Sequence, residues 1–129
     1  MILTGSIPTP FKNHPYLDKD NYKKLKKCIN KIEFVYNEIL PFLKNYNENI
    51  IKYNLSDILE KDNQKSYEDT ISLISEKSTK DTKICYWNNL VQRKEHITKN
   101  LVKNQEISKR LFSKDRVFFY SDFIVEERN

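Results

Sequence analysis

Residues 82–112 read TKICYWNNLVQRKEHITKNLVKNQEISKRLF, and the way this stretch folds decides the architecture of the chain. It contains no Gly and no Pro, the residues that most often interrupt a helix. Trp87, Leu90, Val91, Ile97, Leu101 and Phe112 form an apolar stripe at helical spacing, with Lys99, Lys103 and Arg110 on the opposite side. The pattern predicts a long amphipathic helix over 82–112, followed by a turn at Ser113 to Asp115.

A stronger periodicity lies upstream. Leu25, Cys28, Ile29, Ile32, Tyr36, Ile39, Leu40, Leu43, Tyr46 and Ile50 keep to one helical face, and the phase survives Pro41. This predicts a first long helix over about 19–53, kinked near Pro41, where the missing N–H and the ring would disturb the preceding turn. Asp18 is its expected N-cap, with Leu17 and Tyr22 as a hydrophobic staple. Shorter helices are expected between the two rods, one from Ser56 and one from Ser66 that stops before the polar run Ser78 to Asp81. Pro8, Pro10 and Pro15 make residues 1–17 an expected extended arm, leaving 18–129 as a single helical domain with a C-terminal strand.

Residues 117–125, VFFYSDFIV, are dense in β-branched and aromatic side chains and predict a β-strand. The expected fold class is therefore mainly α: a small helical bundle of two long amphipathic helices with one strand at its end. Such a strand needs a partner for its backbone, supplied by the N-terminal arm, by a second copy in a homodimer, or by another protein through strand addition. Val117, Phe118, Phe119, Tyr120 and Phe123 are the candidate partner-binding residues.

Catalytic signatures are lacking. Gly5 is the only glycine, which excludes glycine-rich phosphate loops. His14, His96, Cys28 and Cys85 are scattered, so no metal site and no cofactor is expected. On one helix Cys85 and His96 would stand too far apart to act together, and Arg93 with His96 reads as a solvent-facing cluster. Asp122, flanked by Tyr120 and Phe123, is read as turned toward solvent. The chain is therefore expected not to be an enzyme.

The net charge of +5 is uneven. Seven lysines crowd residues 12–31 and nine Lys and Arg occupy 82–116, around an acidic middle. Lys23, Lys24, Lys27 and Lys31, together with Lys99, Lys103 and Arg110, are the candidate phosphate contacts if the partner is a nucleic acid. Only four arginines are present, which disfavours base-edge reading and ranks this alternative second. Two cysteines, no signal-peptide pattern and no long apolar run lead us to expect a cytoplasmic protein without membrane contact. The absence of Ala and the abundance of Lys, Asn and Ile fit a low-GC microbe, a phage or a virus acting in an infected host cell. The function expected is that of a non-enzymatic protein–protein interaction factor, such as an inhibitor, immunity or anti-defence protein, or a subunit of a larger assembly.

Overall fold

The computed structural model describes Pro15 and residues 18–93 and 98–128. The expected arm over 1–17 lies outside the described residues except for Pro15. The chain divides into two compact units, one up to Tyr36 and one from Asn37 onward.

In the first unit, Asp18 caps helix α1 (Lys19–Lys27), its Oδ1 accepting from the N–H groups of Asp20 at 3.0 Å and Asn21 at 2.9 Å. Lys24, Lys26 and Lys27 occupy the last turn, where cations complement the helix dipole. A 3-10 turn, Ile29–Lys31, follows. The helix predicted over 19–53 therefore stops at its ninth residue, because the next stretch is rich in β-branched and aromatic residues, Ile29, Ile32, Phe34, Val35 and Tyr36, which lose side-chain freedom in a helix.

The second unit opens with helix α2 (Ile39–Asn45), with Glu38 at the N-cap position making no side-chain capping bond. Pro41 is its third residue. The first turn of a helix has no acceptors for its N–H groups, so Pro41 loses no bond there, and it begins a helix where the sequence suggested a kink in one. Strand β1 (Lys52–Asn54) comes next, then a 3-10 turn (Ile58–Lys61) and helix α3 (Gln64–Lys77). The cap of α3 is Asn63, three residues before the expected Ser66, and its side chain accepts from Ser66 N at 2.9 Å.

Residues 82–112, predicted as one helix, fold as strand β2 (Lys83–Asn88), a loop, strand β3 (Leu101–Lys103) and helix α4 (Gln105–Phe112). Ile84, Cys85, Tyr86 and Trp87 are strand formers whose burial alternates with period two, and asparagines supply the breaks. Asn88 ends β2, and Asn104 caps α4 by accepting from Ile107 N at 3.0 Å. The last strand, β4, spans Asp122–Arg128 instead of 117–125.

The four strands form one mixed sheet in the order β1-β2-β4-β3. β1 and β2 run parallel, joined by the crossover through α3 that a parallel pair requires. β4 runs antiparallel to both neighbours, with Tyr86 opposite Ile124 and Lys103 opposite Glu126. The second unit is thus an α/β arrangement of helices α2, α3 and α4 with a four-stranded mixed sheet among the described residues, α1 belongs to the first unit, and the two-rod helical bundle is overturned. One sheet face packs on α3, with Tyr53, Ile84, Tyr86, Leu101 and Ile124 meeting Tyr67, Ile71 and Ile74, and with Leu43 of α2 in the same core. Ile84 and Ile74 are fully enclosed. Replacing Ile84→Ala should lower the unfolding free energy by about 2–5 kcal/mol through lost transfer energy and the cavity left behind. A urea midpoint that does not move would show that this face is not the core.

Candidate interaction surface

The second sheet face carries the odd positions of β2 and β4. Trp87 of β2 lies against Phe123 of β4, ring centroids 4.5 Å apart, and against Tyr120, 5.7 Å away. From Tyr120 the aromatic series continues to Phe119 at 4.6 Å and on to Phe118 at 5.6 Å. Phe118 is 96% exposed and Phe119 49%, although each is a large apolar side chain.

Asp115 sets the position of this loop. One carboxylate oxygen accepts from Trp87 Nε1 at 2.6 Å and the other from Val117 N at 2.9 Å. These bonds, the Val117 amide first, hold the Asp115 carboxyl below the usual range. At the other end the Tyr120 hydroxyl reaches Asp57 at 3.4 Å, and Ser121 N donates to Asn88 O at 2.8 Å. The aromatic side chains thus project from a backbone fixed at both ends.

Beside this cluster a groove of ≈ 450 Å³ runs between α4 and the β1 edge. Its apolar surface comes from Cys85, Ile107, Leu111, Phe123 and Val125, with Lys52 at one margin. Glu127 on the rim is engaged, accepting from Lys83 Nζ at 2.6 Å and from Asn104 Nδ2 at 3.1 Å, and the lysine contact chiefly holds its carboxyl down. Partial burial pushes the Cys85 thiol up, which makes it a poor nucleophile, whereas Cys28 is exposed.

All five candidate partner-binding residues fall on or beside this face, but not on a free strand. Residues 117–121 are loop, and only Phe123 belongs to β4. That strand is interior, paired with β2 along Asp122–Glu127 and with β3 along Glu126–Arg128. At Val125 its outer edge is met by Asn104 N and Ser108 Oγ. Strand addition at 117–125 therefore lacks the open ladder that the sequence suggested. The open ladder edges belong to β1 and β3.

The candidate phosphate contacts are divided. Lys23, Lys24 and Lys27 lie on α1 and Lys31 on the turn after it, all exposed; Lys99 and Arg110 are exposed in the second unit. Lys103 points into the core side of the sheet, its side chain only 7% exposed and its Nζ 3.1 Å from Asp122. It is not available to a phosphate, and Asp122, read as turned to solvent, is its ion-pair partner.

Arg93, expected at the surface, is 5% exposed. Its guanidinium donates to Leu59 O at 2.6 Å, to Asp62 O, and to Gln64 Oε1 at 3.3 Å, and lies 5.0 Å over the Tyr67 ring. Glu60 answers it by accepting from the N–H groups of Asn89, Leu90 and Val91. One base and one acid thus bind the loop after β2 to the turn before α3, a structural role that spacing could not disclose. His96 lies outside the described residues. Cys85 sits on a strand, so the single-helix geometry expected for the pair does not apply. Among the described residues no three His, Cys, Asp or Glu side chains converge to hold a metal. No helix among them is long and apolar enough to cross a membrane.

No protein-family model, curated protein or solved structure matches the chain.

Trp87 is the sole tryptophan, so its fluorescence reports on this face alone. The folded Asp115 carboxyl ionises at lower pH than in the unfolded chain. Its contribution is complete above about pH 3.9, the unfolded value, and is lost as pH falls through the folded one. The emission should stay constant from neutral pH to about 5 and change below about 4. Asp115→Asn should remove that step. A step retained in the variant would assign it to another group.

Proposed function

We propose that the chain is a non-enzymatic protein-interaction factor whose contact surface is the aromatic loop 117–120 together with Trp87 and Phe123. The observation that carries this reading is Phe118, almost wholly solvated at the tip of a loop anchored by Asp115 and Tyr120. Exposing an aromatic ring gives up the favourable transfer energy of its burial, and a fixed backbone reduces the ordering cost when a partner covers it. Aromatic anchors surrounded by polar groups are the usual composition of binding hot spots. The role envisaged is that of an inhibitor, immunity or anti-defence factor in the cytoplasm of a low-GC microbe or an infected host cell, with a homodimer or a larger assembly as other settings for the same surface.

The second reading, nucleic-acid binding, draws on the exposed Lys23, Lys24, Lys27 and Lys31 of the first unit. It requires a steep fall of affinity with added salt.

A photo-crosslinking residue at position 118, exposed to lysate of the source cell, should capture a discrete protein that the same residue at Lys80 does not. Phe118→Ala with Phe119→Ala should weaken that association by about 2 kcal/mol or more, roughly 30-fold, with no change in urea midpoint. Capture of nucleic acid alone, or of nothing, would reject the proposal.

A further inference from the structure

The described part of the first unit has no core of its own. From Asp18 to Tyr36 no residue is buried, and Leu25, Ile29, Ile32, Phe34, Val35 and Tyr36 are all exposed, Phe34 at 92%. A helix as short as α1 is marginal in water by itself and draws its stability from packing an apolar side. A run of solvated apolar side chains at this density marks a contact with a protein or a membrane.

We propose that the first unit docks on an anionic lipid bilayer, with α1 lying in the interface, Tyr22 and Leu25 turned inward, and Ile29, Ile32 and Phe34 following them below the headgroups. This contact goes beyond the protein interaction proposed above and uses a different surface. The expectation of no membrane contact followed from the lack of a long apolar run, and a helix that lies in the interface needs none.

The arrangement around α1 is that of an interfacial helix. At 100° per residue Tyr22 and Leu25 lie about 60° apart, Lys26 flanks them, and Lys23, Lys24 and Lys27 stand about 130° or more away. A lysine on the flank keeps its stem on apolar surface while its ammonium reaches a phosphate. The charge is largely unopposed. From Asn21 to Ile32 the chain carries five lysines and no acid, and all five are exposed. Among the described residues only Lys23 of these is in an ion pair, with Asp20 at 3.5 Å. Over 18–36 as a whole, six lysines face three acids, Asp18, Asp20 and Glu33.

The kind of cation and the kind of apolar residue separate lipid from the other partners. Every cation of this stretch is lysine, and the four arginines of the chain all lie at or beyond Arg93. Protein interfaces are depleted in lysine and enriched in arginine, whereas lysine, a point charge on a flexible stem, suits the diffuse field of a charged membrane. A nucleic acid would also draw these lysines, but single strands are held by stacking on aromatic rings, and Leu25, Ile29, Ile32 and Val35 offer none. A fluid bilayer takes up such aliphatics without a matching shape.

Vesicles of phosphatidylcholine with about a third phosphatidylserine test the proposal. The full chain should sediment with them, and should stay in solution with phosphatidylcholine alone or at about 0.5 M salt, where surface fields are screened. Lys24→Gln with Lys27→Gln should weaken partitioning about 25-fold, roughly fivefold for each lysine. Leu25→Ser with Ile29→Ser should weaken it at least about tenfold. The urea midpoint followed by Trp87 emission should not move in either variant. Tyr22→Trp should add emission that becomes blue-shifted, and quenched by brominated acyl chains, only when vesicles are present, while Trp87 of the parent stays unquenched. Blue-shifted emission from position 22 before vesicles are added would show that protein already covers this face and would overturn the proposal. So would failure to sediment, partitioning indifferent to the Leu25 and Ile29 substitutions, or quenching of Trp87, which would move the contact to the aromatic face. Retention of oligouridylate with no binding to vesicles would overturn it in favour of nucleic acid.

Discussion

Strand β4 is the last element among the described residues, yet it lies in the interior of the sheet. Its backbone is shared between β2 on one side and β3 on the other, and the open edges left are the three-residue strands β1 and β3. Until β4 arrives, β2 has only the short parallel ladder to β1, and β3 has no strand beside it at all. Buried N–H and C=O groups without partners are costly, so the sheet becomes stable only with its final strand in place. The same strand contributes Ile124 to the core on one face and Phe123 to the aromatic cluster on the other. The interaction surface and the core are thus opposite sides of one ladder.

The core face tolerates charge because the charges are met there. Glu126 is 3% exposed, and its carboxylate accepts from the Tyr86 hydroxyl at 3.2 Å, with Lys103 directly opposite in the register. Burial pushes the phenols of Tyr86 and Tyr67 up, so both stay protonated and available as donors. Arg128 reaches across to Ser75 O at 2.9 Å and Ser78 Oγ at 2.7 Å, tying β4 to the end of α3. A buried charge that lost its partner would be strongly destabilising, and this penalises any register of β4 that slips by one residue. In such a slip Glu126 would turn to the groove and Phe123 to the core.

How much of this was legible in the sequence differs by element. The cap at Asp18 could be read because a cap depends on local chemistry alone. A β-branched aromatic run near the C-terminus was visible, but its bounds were displaced because Val117 to Tyr120 have strand composition without a strand to pair with. The two long helices failed for a common reason. Apolar residues three and four apart also occur when a short strand, an Asn-bearing loop and a short helix follow one another, as from Ile84 through Asn104 to Ile107. Periodicity alone does not separate these cases, and the absence of Gly and Pro carried too much weight where asparagine was breaking the chain. The candidate surface was visible as composition, in the residues Val117 to Phe123, while its mode of use was not. Strand pairing is a long-range property, and it determined whether those aromatics lie on an open edge or on a face.

That difference bears on what the surface can recognise. An edge strand reads a partner through its backbone and is indifferent to charge, whereas a face reads side chains and the field around them. On this face the acids are consumed internally: Asp115 fixes the aromatic loop, Glu127 bridges β2 to the cap of α4, and Asp57 meets Tyr120. Asp115 and Asp57 keep their negative charge, since Trp87, Val117 and Tyr120 are neutral donors, whereas Glu127 and Lys83 offset one another. A substitution that removed Asp115 would therefore change the shape of the aromatic loop, whereas one that removed Glu127 would also leave the Lys83 charge without its partner.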